Sequence, residues 1–107
     1  MKQLVLLLVI LTIKILTPME ALDIVKEEYA SNFTKVFLSE DTTDYYYKLD
    51  GADYYLTYEE TDETSGHYLF RLYEFVVDDP DTGIGHIFTY GFFWVDPITG
   101  KTYISEY

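Results

Sequence analysis

Hydrophobic and polar positions change their period once along this chain. From Leu4 to Ile13 there is no period: Thr12 is the only polar residue in an apolar run that follows Met1-Lys2-Gln3 and stops at Lys14. After Ile15-Leu16, the stretch Thr17-Pro18-Met19-Glu20 carries the marks of a helix start. Thr17 suits the N-cap, Pro18 the first helical position, and Glu20 stands three residues after the cap. Ala21, Leu22, Val25 and Tyr29 then recur at helical spacing, while Asp23, Lys26 and Glu27 face outward. The pattern predicts a helix from Pro18 to about Ser31 with a single apolar stripe.

Beyond Phe33 the period is two. Phe33 to Leu38 reads as an extended lead-in or a short strand, and Ser39 to Thr43 as a turn. Tyr45–Leu49 and Tyr54–Tyr58 are aromatic strands joined by the hairpin signal Asp50-Gly51-Ala52-Asp53. Two longer strands, His67–Val77 and His86–Val95, flank an eight-residue acidic loop from Asp78 to Gly85. Asp96-Pro97-Ile98-Thr99-Gly100 makes a tight reversal into a closing strand, Lys101–Ser105. Tyr68, Phe70 and Leu72, with Phe88, Tyr90, Phe92 and Trp94 or their immediate alternates, are the expected floor for Leu22, Val25 and Tyr29. A slip of one residue would exchange the faces. The expected fold is α+β, with one N-terminal helix packed on a four- to five-stranded antiparallel meander sheet, in a single domain over 18–107.

The apolar run gives residues 1–17 a different role. It is shorter than the roughly 20 residues a helix needs to cross the bilayer's hydrocarbon core. With one lysine ahead of it, it reads as a signal peptide or an N-terminal membrane anchor, a core helix being the alternative. Met19-Glu20-Ala21 is the nearest small-residue ending and a poor cleavage site, so removal and retention both stay open. The expected location is extracytoplasmic, secreted or membrane-anchored, with the membrane touched only through this segment.

Charge narrows the partners. The chain carries 19 acids against 7 bases, a net −12, and from Leu22 onward 18 acids against 5 bases. No basic face exists for phosphate contacts, so nucleic acid is excluded. Aromatic residues make up 19% of the chain and all lie from Tyr29 onward, which is too apolar for a disordered acidic tail. The absence of cysteine removes disulfides, thiolate catalysis and cysteine zinc sites.

Candidate chemistry is sparse. Asp78-Asp79-Pro80-Asp81-Thr82-Gly83 resembles a calcium loop in composition, but its acids do not alternate and Thr89 occupies the twelfth position, where a bidentate glutamate belongs. It reads as a solvated hairpin loop. His67 and His86 begin separate strands and fall at opposite ends of one hairpin, too far apart to share a metal. Ser31, Ser39, Ser65 and Ser105 lie in no nucleophile-elbow setting, and Gly83-Ile84-Gly85 leads into a strand rather than the helix a phosphate cradle requires. No catalytic residue, metal or cofactor is expected. Asn32-Phe33-Thr34 matches a glycosylation sequon. Tyr46, Tyr55 and Tyr73 fall on the faces opposite their strands' apolar sides and form a candidate partner-binding surface for a peptide or sugar. The competing reading is plain cross-strand aromatic pairing.

The segment Phe92-Phe93-Trp94-Val95-Asp96-Pro97-Ile98-Thr99-Gly100-Lys101-Thr102-Tyr103, preceded by a capped helix bearing Ala21-Leu22, resembles the closing hairpin of PepSY-like domains. There a strand ends in an aromatic residue and Val-Asp before a Thr-Gly turn. The resemblance covers this hairpin and the general layout. It implies a small extracytoplasmic bacterial domain with a cystatin-like helix-on-sheet fold, associated with binding and with proposed restraint of peptidases. Trp94, Val95, Asp96, Thr99 and Gly100 match as structural positions, and no catalytic residue is carried over. Many relatives carry two such units or a larger partner domain, and this chain departs from them in length. The expected function is a secreted or membrane-anchored, non-catalytic binding module for a protein or peptide, such as a peptidase; the alternative is a structural envelope domain without a ligand of its own.

Overall fold

A computed structural model describes residues 14–105. The N-terminal segment 1–17 that reads as a signal peptide or anchor lies outside them, apart from its last four residues. Helix α1 spans Pro18–Tyr29, and six strands follow: β1 Phe33–Phe37, β2 Tyr45–Leu49, β3 Tyr54–Thr61, β4 Tyr68–Asp79, β5 Ile84–Val95 and β6 Thr102–Ser105. The strands pair in chain order as one antiparallel sheet. The fold is α+β, with six strands rather than four or five. The sixth is Phe33–Phe37, which pairs along its whole length with Tyr45–Leu49. No helix among the described residues is long and apolar enough to cross a membrane.

The helix begins where its capping residues require. The Thr17 hydroxyl accepts the Glu20 N–H, and the Glu20 carboxylate accepts the Thr17 N–H, at 3.2 and 3.0 Å, so two orphan donors of the first turn are satisfied reciprocally. Lys14 adds an ion pair to Glu20 at 2.8 Å, and these bonds hold the Glu20 carboxyl below its ordinary range. The helix stops two residues before Ser31, with the Ala30 N–H donating to the Lys26 carbonyl. Two contacts tie the chain ahead of α1 to the sheet. The Leu16 N–H donates to the Pro97 carbonyl at 2.8 Å, and the Tyr68 hydroxyl donates to the Leu16 carbonyl at 2.7 Å.

Ala21, Leu22 and Val25 are fully buried against Tyr47, Leu56, Tyr68, Phe70, Phe93 and Val95. Each large apolar side chain closed off in this way contributes roughly 1.5–3 kcal/mol, so this stripe dominates the attachment of helix to sheet. Polar contacts reinforce it: Asp23 Oδ1 accepts the hydroxyls of both Tyr45 and Tyr47, at 2.8 and 2.7 Å, and the Tyr45 N–H donates to the Met19 sulfur at 3.3 Å.

On β5 the core-facing set is the alternate of the expected one. Phe93 and Val95 are buried, whereas Trp94 and Phe92 fall on the opposite face. The cause is a bulge. Leu72 pairs with Gly91 and Tyr73 with Thr89, leaving Tyr90 as an extra residue that shifts the parity of β5. Phe88 and Tyr90 are exposed at 53% and 51%, and Tyr29 at 39%. A helix of twelve residues is ~18 Å long. Strands of twelve residues run ~40 Å, so the distal half of the β4–β5 hairpin projects past α1. The acidic loop is also shorter than expected. Both strands continue into it, and Gly83 closes it by donating to the Asp79 carbonyl at 2.8 Å.

Candidate binding surface

The helix covers one face of the sheet, and no second layer packs on the other among the described residues. Strand alternation brings Tyr46 from β2, Tyr55 from β3 and Tyr73 from β4 to this open face. Tyr55 and Tyr73 are direct cross-strand partners. The rings form a row: Tyr46 to Tyr55 at 6.0 Å between centroids, and Tyr55 stacked on Tyr73 at 5.3 Å. All three are half-buried, and cations stand beside Tyr55 and Tyr73.

Those cations come from the same face. Lys48 Nζ stands 5.8 Å from the Tyr55 ring, and the Arg71 guanidinium stands 5.7 Å from Tyr73 and 5.4 Å from Phe92. Such distances fall within cation–π range. Arg71 is also paired with Glu59 at 3.0 Å, which fixes its position between the two rings. Burial first, and then neighbouring carboxylates, push the phenols of Tyr55 and Tyr73 above their ordinary range, Asp53 acting on Tyr55 and Glu59 on Tyr73. These hydroxyls therefore stay protonated at neutral pH and remain available as donors. Alternation in β4 already places Arg71 beside Tyr73. Phe92 could not be assigned to this face from the sequence, because its direction depends on the bulge at Tyr90.

The hairpin residues lie at the end of β5 and in the β5–β6 turn. Val95 is fully buried, and Trp94 lies half-buried on the open face opposite Tyr103. The Asp96 carboxylate accepts the N–H groups of Ile98 and Thr99 at 2.8 and 3.4 Å, and the Ile98 bond is the main cause of its lowered pKa. Gly100 has φ +75°, the left-handed conformation this turn demands, and donates to the Asp96 carbonyl. Asp96, Thr99 and Gly100 hold the turn, the Thr99 hydroxyl accepting the Lys101 N–H at 3.2 Å.

No known protein family, curated protein or solved structure matches this chain.

The remaining polar groups are dispersed. His67 is stacked on Tyr103 and lies 3.8 Å from Asp96. His86 pairs with Asp78 at 2.9 Å near the far tip of the β4–β5 hairpin. Asp79 Oδ1 accepts the Asp81 N–H at 3.0 Å, turning that carboxylate back on its own loop. Among the described residues no three metal-ligating side chains converge.

Proposed function

We propose that this chain is an exported, non-catalytic binding module that engages a basic peptide segment of a partner protein across the open face of its sheet. The observation that carries this reading is the row Tyr46–Tyr55–Tyr73 extended by Arg71 and Phe92. Aromatic residues and arginine are the side chains that dominate binding energy at protein interfaces. Flat rings tipped by hydroxyls offer apolar contact and hydrogen bonding together. The net charge of −12 raises the encounter rate with basic segments and lowers it with acidic ones. The N-terminal apolar run supports export, and restraint of a peptidase is a form of engagement proposed for the PepSY-like domains whose closing hairpin this one resembles.

A second reading has its own support. The three tyrosines are half-buried by one another, as expected of a cross-strand ladder that stabilises the sheet, and this favours a structural envelope domain without a ligand. Peptide libraries of matched apolar content, one basic and one acidic, separate the two readings. The binding reading expects basic peptides to bind the full chain and the double variant Tyr55→Ala/Tyr73→Ala to lose at least about tenfold in affinity, as removal of interface anchors does. Equal capture of both libraries, or binding untouched by the double variant in a chain that still folds, rejects the binding reading.

A further inference from the structure

On the helix-covered face, beyond the last turn of α1, lies a recess of about 310 Å³ lined by Tyr29, Phe33, Tyr54, Leu72 and Tyr90. It exists because α1 ends at Tyr29 while β4 and β5 run on, and because the bulge leaves Tyr90 as the unpaired residue beside Leu72. Four of the five lining residues are aromatic, and none is basic. The Tyr54 and Tyr90 rings stand 5.9 Å apart, tilted by 32°, and form one wall.

The electrostatics of this recess have one sign. The Tyr90 hydroxyl donates to Glu74 Oε1 at 2.7 Å, and Glu74 is the direct cross-strand partner of Tyr54. The carboxylate and the Tyr54 hydroxyl hold the Tyr90 phenol far above its ordinary pKa, in that order of effect. A phenol that donates to a carboxylate is polarised toward its anion, which makes its ring a better partner for a cation. The carbonyl end of α1 adds the negative end of the helix dipole, and Glu28 lies next to Tyr29. The lysines of the helix-covered face are engaged elsewhere, Lys26 with Glu27 and Lys35 over the Tyr45 ring at 4.1 Å, and Lys48 lies on the opposite face beside Tyr55.

We propose that this recess binds a small free quaternary ammonium cation of choline's size. Charge complementarity selects a cation over a neutral apolar ligand. The lining selects among cations. A primary ammonium or guanidinium brings three to five N–H donors that need acceptors, and here one carboxylate oxygen already serves Tyr90. A trimethylammonium group has no N–H and is held by ring faces and a nearby anion alone. The site lies on the opposite face from the Tyr46–Tyr55–Tyr73 row and does not depend on what that row binds.

The test is calorimetric titration of the full chain, in a detergent without a choline headgroup, with choline and with its neutral carbon isostere, in which tert-butyl replaces trimethylammonium. Choline is expected to bind at least about tenfold more tightly than the isostere. Glu74→Gln and Tyr54→Leu should each erase most of that preference, while Tyr55→Leu on the other face leaves it intact. Equal binding of choline and isostere, or binding of neither, overturns the proposal on the unaltered chain, whatever the variants do. A preference that survives both Glu74→Gln and Tyr54→Leu places the cation elsewhere and also overturns it. Glycerophosphocholine, whose phosphate would meet Glu74, is expected to bind more weakly than choline. Equal or tighter binding would overturn the free cation in favour of a lipid headgroup.

Discussion

Among the described residues, Asp23 is the one polar link that joins helix to sheet through two strand residues at once, and Asp23→Ala tests whether it matters. Its Oδ1 accepts the phenols of Tyr45 and Tyr47. Hydrogen bonds to a charged acceptor contribute about 1.5–3 kcal/mol each, but these two share one oxygen and a half-exposed carboxylate, so full additivity is not expected. The larger loss comes from Tyr47, only 6% exposed, whose hydroxyl would be stranded at a cost of about 1–3 kcal/mol. Tyr45 is half-buried and can turn to water. Against this, alanine is the better residue for a helix interior by up to about 0.7 kcal/mol. The net expectation is a loss of about 2 kcal/mol, or a fall in melting temperature of roughly 8–16 °C for a domain of this size. Urea and thermal unfolding followed through Trp94 emission measure it. The triple variant Asp23→Ala/Tyr45→Phe/Tyr47→Phe should recover much of the loss, because removing both sides of a buried hydrogen bond strands nothing. The same site contributes to the loss of stability at alkaline pH. Burial first, and then Asp23, raise the Tyr45 and Tyr47 phenols well above their ordinary range. Their contribution is therefore complete below about pH 10 and is lost as pH rises above it, because the unfolded chain gives up those protons first. A single variant within about 0.5 kcal/mol of the parent chain, together with stability flat from neutrality to well above pH 10, would refute the reasoning.

Three other outcomes are expected. Thr17→Ala removes the capping box and should cost about 1 kcal/mol by urea denaturation, with no change in the unfolding slope. Gly85→Ala would drive its Cβ into the Val76 carbonyl, so hydrogen exchange should quicken at the tip of the β4–β5 hairpin while amides of Leu56 and Phe70 keep their protection. Millimolar calcium should leave the melting temperature unchanged, since Asp79 bonds within its own loop and Asp78 is paired with His86. A rise of several degrees, absent in sodium of equal ionic strength and abolished by Asp81→Asn, would show a cation site there.

Short-range chemistry was legible in the sequence. The Thr17-Pro18-Met19-Glu20 start, the burial of Leu22 and Val25, the aromatic strands and the Asp96–Gly100 turn all depend on residues a few positions apart. Pattern and capping therefore determine them without knowledge of the rest of the chain. The common face of Tyr46, Tyr55 and Tyr73 was legible for the same reason, because alternation within each strand fixes it up to the choice of side. Tertiary pairing decided what local pattern leaves balanced. Phe33–Phe37, with Lys35 at its centre, carries little alternation of its own and becomes a strand only by matching Tyr45–Leu49. In β5 both faces are apolar, so the pattern could not choose between Phe92-Trp94 and Phe93-Val95. The bulge at Tyr90 chose, and a bulge is settled by the summed fit of a strand to its neighbours rather than by any residue within it. The recess beside Tyr90 has the same origin. It exists only because a shifted strand, a helix twelve residues long and a longer hairpin meet at one place, and no window of sequence contains all three.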